Sequence, residues 1–347
     1  MVIKQWKVGF SGWLALAGLN ALLWPATPAL AWGPDGHHTV AALAEQLIAG
    51  RPAEAQVRQL LGGISLQDAA VWADCARGID PAKGYTYTNP GQYAECKVFE
   101  TPQGEAEMAD FVRRNDTNCT RKANSETCHK QYHYTDVALQ RKVYQLGKIG
   151  TRDDDIVAAL QAVIKVLQGQ PAPAPFQIKD QREALLLLAH YVADVHQPLH
   201  VGAIYLDATG KQIDPDTGKF VASMNTYGGN ELITLSSTGK PSSNLHHVWD
   251  EVPAALKAGK IDAAWLARAR KVSKTKGTVN DWPVSWATGT LTQAKAGYAG
   301  LTYGAKSGSS WETHLPANYT AQINTIKDTQ ITRAGARLAQ VLQTIWP

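Results

Sequence analysis

Beyond residue 24 the sequence has no apolar run near the ~20 continuous residues that a bilayer-spanning helix needs, so the rest of the chain reads as free of membrane spans. It also lacks a large excess of charge of either sign: 34 basic residues stand against 30 acidic ones, a formal +4. That balance gives no sign of a broad basic face for nucleic acid. If the substrate is a polyanion, the site itself must supply positive charge. There is no C-x-x-C among the four cysteines, which argues against a cysteine metal site. No internal repeat and no low-complexity segment is evident, so one folded domain is expected rather than an array.

What is present begins with a targeting signal. Lys4 and Lys7 precede an apolar stretch from Val8 to Trp24, and small residues follow to Ala29-Leu30-Ala31. A charged start, an apolar middle and an A-x-A site describe a secretory signal peptide. Gly, Ser and Asn interrupt the stretch and Pro25 ends it, against a retained anchor. Cleavage after Ala31 gives a signal of residues 1–31 and a domain of residues 32–347, exported to the periplasm or the medium. The domain then carries 32 basic and 30 acidic residues, a formal +2.

Helical signals dominate that domain. Thr39–Ile48, Ala53–Leu61, Leu66–Arg77, Asp154–Leu167 and Asp180–Val195 carry apolar residues at helical spacing. So do Ser243–Lys257 (broken at Pro253), Ala263–Val272, Thr290–Tyr298 and a last helix over about Tyr319–Ile345. The Asp180–Val195 helix is apolar on most sides and is expected at the centre. Residues 201–240, with the run LITL, read as a loop or hairpin. Residues 78–132 form a long turn-rich insertion with one amphipathic piece near Glu105–Val112. The expected fold is all-α, a single domain with a disulfide-bearing loop and a small β-hairpin.

Cys75, Cys96, Cys119 and Cys128 lie close together in or beside this insertion, and an exported chain with an even count suggests two disulfides. Three pairings are open. The short polar loop between Cys119 and Cys128 favours joining those two, with Cys75 then bonded to Cys96.

The histidines are clustered. His190, His196 and His200 sit in HYVADVHQPLH, and His246 and His247 in NLHHVWD. His190 and Asp194 are four apart, as are His246 and Asp250, a spacing that puts each pair on one helix face. A lone buried histidine is usually structural. Two His–Asp pairs, with an ionised Asp on so apolar a helix, are costly unless a cation compensates them. Neutral imidazole with carboxylate suits zinc. Upstream, Asp74 lies in VWADCAR with Arg77 one turn on, His133 lies in YHYTD, and His37 and His38 follow Trp32 in WGPDGHH. Taken alone, Asp74 reads equally as a cap or a salt-bridge partner of Arg77, and His133 as a stacking residue. His196 and His247 fall off the ligand faces and read as structural, while His129 and His314 have no motif context.

The set WG-x-x-GH, WAD-x-x-R, HY-x-D, H-x-x-x-D-x-x-x-x-PLH, GGN and NLH-x-x-WD, in this order, resembles the zinc-dependent type I nucleases, a family of fungal, plant and bacterial members. The likeness runs from Trp32 to the C-terminal AGARLAQVL. It is also distantly similar to bacterial zinc phospholipases C. The resemblance implies three Zn²⁺. One lies between Asp74, His133, His190 and Asp194, and a second takes His200, His246 and Asp250. The third takes the α-amino nitrogen and carbonyl of Trp32 with His37 and Asp194. It further implies Asp74 and Arg77 as catalytic residues, Tyr134 stacking on a base, Asp136 accepting its hydrogen bonds, and Asn230 in the cleft. Implied partners are RNA, DNA and 3′-nucleotides, for a monomer with no stable protein partner. The alternatives are a zinc phospholipase C and a zinc-binding protein without turnover.

Two departures stand out. NDWPVSWATGTLTQAKAGYAGLTYG replaces the family's WA-x-E-S stretch and lacks its acid, at no cost to the ligand set. The insertion from Gly78 to Tyr132 is long compared with fungal members and enters between Asp74 and His133, so substrate preference is the property it bears on.

Overall fold

The helix that starts the domain, α1 (Pro34–Ile48), opens on Pro34, whose missing N–H costs nothing at that position. The computed structural model describes residues 32–116, 128–218, 220–236 and 238–347. The expected signal peptide and Cys119 lie outside them. After α1 come α2 (Pro52–Leu61), α3 (Leu66–Ala69) and α4 (Trp72–Ala76). The insertion carries α5 (Pro102–Asp116) and α6 (Cys128–Gln131). Then follow α7 (Ile156–Leu167), α8 (Gln181–Asp194), α9 (Leu245–Asp250), α10 (Ala263–Arg270), α11 (Trp282–Tyr298) and α12 (Tyr319–Ile345). The mostly helical architecture expected from periodicity is observed, and no described helix is long and apolar enough to cross a membrane.

α8 is the central helix: every residue from Glu183 to Asp194 is buried. Asp180 starts it by accepting the Glu183 N–H at 2.9 Å, and Asp155 caps α7 by accepting from Val157 and Ala158. α1 and α12 flank α8 and approach each other closely at Gly335, where a Cβ would come 2.5 Å from Leu43 Cβ. Trp72, Trp249, Trp282 and Trp286 fill the interior between the helices. Each large apolar side chain so buried contributes roughly 2–3 kcal/mol.

Sheet structure exceeds the hairpin expected. β5 (Leu232–Leu235) and β6 (Pro241–Asn244) form that hairpin, but β7 (Thr302–Ser307) and β8 (Ser310–His314) add a second one. The sheet order is β6-β5-β8-β7, with β5 and β8 parallel. Two pairs are smaller. β1 (Ile79–Asp80) runs antiparallel to β2 (Thr86–Tyr87), and β3 (Val137–Ala138) runs parallel to β4 (Gly202–Ala203). The β3–β4 pair ties the YHYTD segment to the chain just past His200, with Thr135 N–H donating to His200 O at 2.8 Å.

Several expected helices differ; α11, for one, begins at Trp282 and not at Thr290. Leu66–Arg77 is two short helices, because the chain turns at Ala70–Val71. The Ser243–Lys257 helix is only Leu245–Asp250: Val252 precedes Pro253, which disfavours helical backbone before it. The insertion contains a full 15-residue helix, α5, which buries Met108, Phe111 and Val112. Cys75 and Cys96 are bonded, with Cα atoms 5.6 Å apart. Cys128 is disulfide-bonded as well.

Candidate metal centre and active site

α8 presents His190 and Asp194 one turn apart, both fully buried. Asp194 Oδ2 lies 3.1 Å from His190 Nε2 and 3.1 Å from His133 Nδ1. Its other oxygen lies 3.4 Å from His37 Nε2 of α1, whose ring stacks on His190 with centroids 3.9 Å apart. Asp74 of α4 sits at the edge of this cluster, with Oδ1 3.8 Å from both His133 Nδ1 and His190 Nε2. Arg77 Nη1 reaches the same oxygen at 3.3 Å. Beside this cluster, His200 and His246 bring their Nε2 atoms within 3.0 Å, and Asp250 Oδ2 is 3.7 Å from His246 Nε2. Three groups therefore have donor atoms close enough to share an ion: His37–His190–Asp194, Asp74–His133–His190 and His200–His246–Asp250.

Backbone carbonyls aim the rings. His190 Nδ1 donates to Ala70 O at 2.6 Å, and the chain turn between α3 and α4 is what leaves that carbonyl available. His200 Nδ1 donates to His133 O at 2.7 Å, and His246 Nδ1 to Gly228 O at 2.8 Å. A carbonyl only accepts, so the proton of each neutral ring sits on Nδ1 and Nε2 carries a lone pair. In His200 and His246 these two lone pairs face each other at 3.0 Å. Two acceptors at that distance repel unless a cation lies against both. Such a hydrogen bond from a ligating histidine to a carbonyl is the usual partner of metal ligation.

Electrostatics agree with neutral imidazole for four of the five donor histidines. Burial holds His37, His133 and His200 well below the ordinary imidazole value, helped by neighbouring histidines and, for the latter two, by Arg77. Burial takes His246 down to about 4. Burial lowers His190 too, but the Asp194 and Asp74 carboxylates outweigh it. Burial pushes Asp194 up to about 7 against the pull of His190, and raises Asp250 against Gln197 and Lys327. Both ring nitrogens of His37, Asp194 Oδ1 and Asp250 Oδ2 are buried with no hydrogen-bond partner. Orphaned groups of this kind cost roughly 1–3 kcal/mol each. Divalent cations would satisfy His37 Nε2 and the two carboxylate oxygens at once, so the donors fit metal.

The remaining expected residues lie on segments that adjoin the donors. Trp32 is buried, and the next residue is held to α9 by Gly33 N–H donating to Asp250 O at 2.9 Å. Asp136 is fixed by Asn225 Nδ2 at 2.8 Å, and Tyr134 is half-buried two residues away. Asn230 gives its side-chain amide to Tyr227 O, so it supports the turn. His196 donates to Val192 O and accepts from Arg337, a structural pairing, and His247 is exposed beside Glu251. Sequence reading missed Gln197, whose amide donates to Asp250 Oδ1 at 2.8 Å; its place inside HQPLH was the available signal. It also missed Lys327, which donates to Val248 O and Glu251 O at the end of α9, and nothing local marks it. Exposed Tyr227, left-handed at φ 48°, stands beside Gly228 and bonds to Asn225.

The model of the S1/P1 nuclease family matches residues 32–347, which includes every donor named above. The chain belongs to the S1/P1 nuclease family. Among its relatives, Endonuclease 5 of Arabidopsis thaliana is 28% identical over 65% of this chain and 56% of its own length. Endonuclease 4 of the same plant is 25% identical over 66% of the chain and 58% of its own length. Nuclease S1 of Aspergillus oryzae is 25% identical over 63% and 53%. The chain thus spans a little over half the length of these relatives.

Proposed function

We propose that this S1/P1 family chain is an exported phosphodiesterase that holds three zinc ions. It hydrolyses RNA and DNA to 5′-phosphorylated products, prefers single strands, and also acts on 3′-nucleotides. The facing lone pairs of His200 and His246, next to unsatisfied Asp250 and Asp194 oxygens, carry this reading.

In this reading Asp74, His133, His190 and Asp194 hold one ion, and His200, His246 and Asp250 a second. His37, Asp194 and the main-chain amine and carbonyl of Trp32 hold the third. When bound, the zinc ions supply an acidified water, charge neutralisation on the phosphoryl group and support for the leaving oxygen. Asp74, held by Arg77, orients the attacking water and takes up its proton. Arg77 is poised to donate to the equatorial phosphoryl oxygens, whose charge grows in the transition state. Water adds to phosphorus in line and the P–O3′ bond breaks, which leaves a 5′-phosphate and a 3′-hydroxyl. Tyr134 stacks on the base and Asp136, pinned by Asn225, accepts its hydrogen bonds. The amine of Trp32 becomes available only when the Ala31–Trp32 bond is cut, so signal removal and completion of the site are one event.

The test is metal analysis of the processed protein beside hydrolysis of single-stranded RNA and DNA. About three zinc per chain, with activity lost to a chelator and restored by zinc, is expected. A metal-free active protein would falsify the proposal. Hydrolysis of phosphatidylcholine with inert RNA would favour a phospholipase instead. Zinc retention with no hydrolysis of either would favour a storage role.

A further inference from the structure

The insertion does more than lengthen the chain between Asp74 and His133. It helps to line a cavity of about 360 Å³, in which Tyr87, Asn89 and Tyr93 share the lining with Asp74 and Arg77. That volume lies within the range of small-molecule sites, ~300–1,000 Å³. The walls are fixed. The Cys75–Cys96 bond fastens them to the residue next to Asp74. Thr88 donates twice to Gly78 O, from its amide and its hydroxyl, both at 2.9 Å. Gly78 is packed so tightly that a Cβ there would lie 2.6 Å from the Tyr87 ring. Tyr134 and Asp136 do not line this cavity.

Its chemistry disfavours a phosphate. Asp80 and Glu95 join Asp74 around it, against Arg77 and Lys130, so among the described residues the lining has no net positive charge. An uncharged, flat, hydrogen-bonding group fits better. Half-buried Tyr93 offers a ring for stacking, Asn89 offers both a donor and an acceptor, and the carboxylates accept from exocyclic amines. A choline group would also suit tyrosines and carboxylates, but it has no use for the amide of Asn89.

We propose that this cavity is a second nucleobase subsite. It takes the base on the other side of the scissile phosphate from the one bound by Tyr134 and Asp136. The inference rests on the phosphodiesterase reading above. It makes the insertion a specificity element, since it reads a neighbour that the metal centre alone ignores.

A coupling experiment on the zinc-loaded enzyme tests it. A deoxyadenosine dinucleotide is compared with two analogues, each abasic at one of its two positions. In the wild type each missing base lowers kcat/KM about tenfold, a stacking contribution of ~1.4 kcal/mol. In Tyr93→Ala one of those two losses disappears and the other remains. Asn89→Ala reduces the same loss, and Tyr93→Phe retains it. If Tyr93→Ala and Asn89→Ala scale all three substrates by one factor, the subsite is disproved while the nuclease reading stands. If the wild type cleaves none of them, the nuclease reading falls first. If it cleaves phosphocholine esters instead and Tyr93→Ala weakens that reaction, the pocket is a choline site and the inference is overturned.

Discussion

The two walls of the cleft are built in different ways. The metal-centre wall hangs on long elements: α1 and α8, with α9 braced by α12, place donors that are almost wholly buried. The insertion wall is made of two-residue strands and short turns, and is held by a disulfide and by hydrogen bonds to Gly78. The first wall obtains precision from helical spacing and burial, and ligand geometry tolerates little error. The second obtains shape from a covalent tie, and the base recognition proposed for it tolerates more. Chemistry and specificity can therefore vary separately in this chain.

The sharpest way to break that comparison is Asp194→Ala, which in the proposed arrangement removes a donor shared by two sites. Zinc content should fall by more than one ion per chain, and kcat by on the order of 10³-fold or more, since metal stabilisation is worth several kcal/mol. Full zinc content in this variant would refute the shared role. Arg77→Ala should keep its zinc and lose about 10²–10³-fold in kcat, the scale of one transition-state donor. Hydrolysis at the parent rate would remove Arg77 from the mechanism.

On the other wall, replacing both Cys75 and Cys96 by Ser should cost about 3 kcal/mol in denaturant unfolding, since the closed loop spans some 20 residues. Zinc content should be unchanged; its loss would show that the walls are not separable. The smallest effect expected is a pH slope from Lys327. Burial lowers its ammonium to about 8, although Asp250 and Glu251 oppose this. Between about 8 and its ordinary value of 10.5, the unfolded chain holds a proton that the folded one has released. Stability should then rise with pH by about 1 kcal/mol per unit in that window. Lys327→Met should flatten this slope in urea melts at pH 8 and 9.5, and parallel slopes would discount the burial of the charge.

Much of the site is legible from the residues because helices write their contacts at fixed intervals. His190 with Asp194 and His246 with Asp250 needed only the four-residue spacing. The carbonyls of Ala70 and Gly228 were not legible, since every residue has a carbonyl and only the chain's turns decide which are left over. Gln197 and Lys327 were missed for a related reason: one polar side chain gives no period. The β7–β8 hairpin escaped because TYGAKSGSSWETH alternates too weakly to mark its strands.

Local spacing thus determined the mostly helical class, the central place of α8 and the pairs that offer imidazole with carboxylate. These depend on residues a few positions apart, and backbone geometry fixes such distances. Only the tertiary structure brought His37 onto His190, faced His200 with His246, and set the insertion's tyrosines in one cavity with Asp74 and Arg77. Those meetings join residues from about ten to over a hundred positions apart, and packing of whole elements is what decides them.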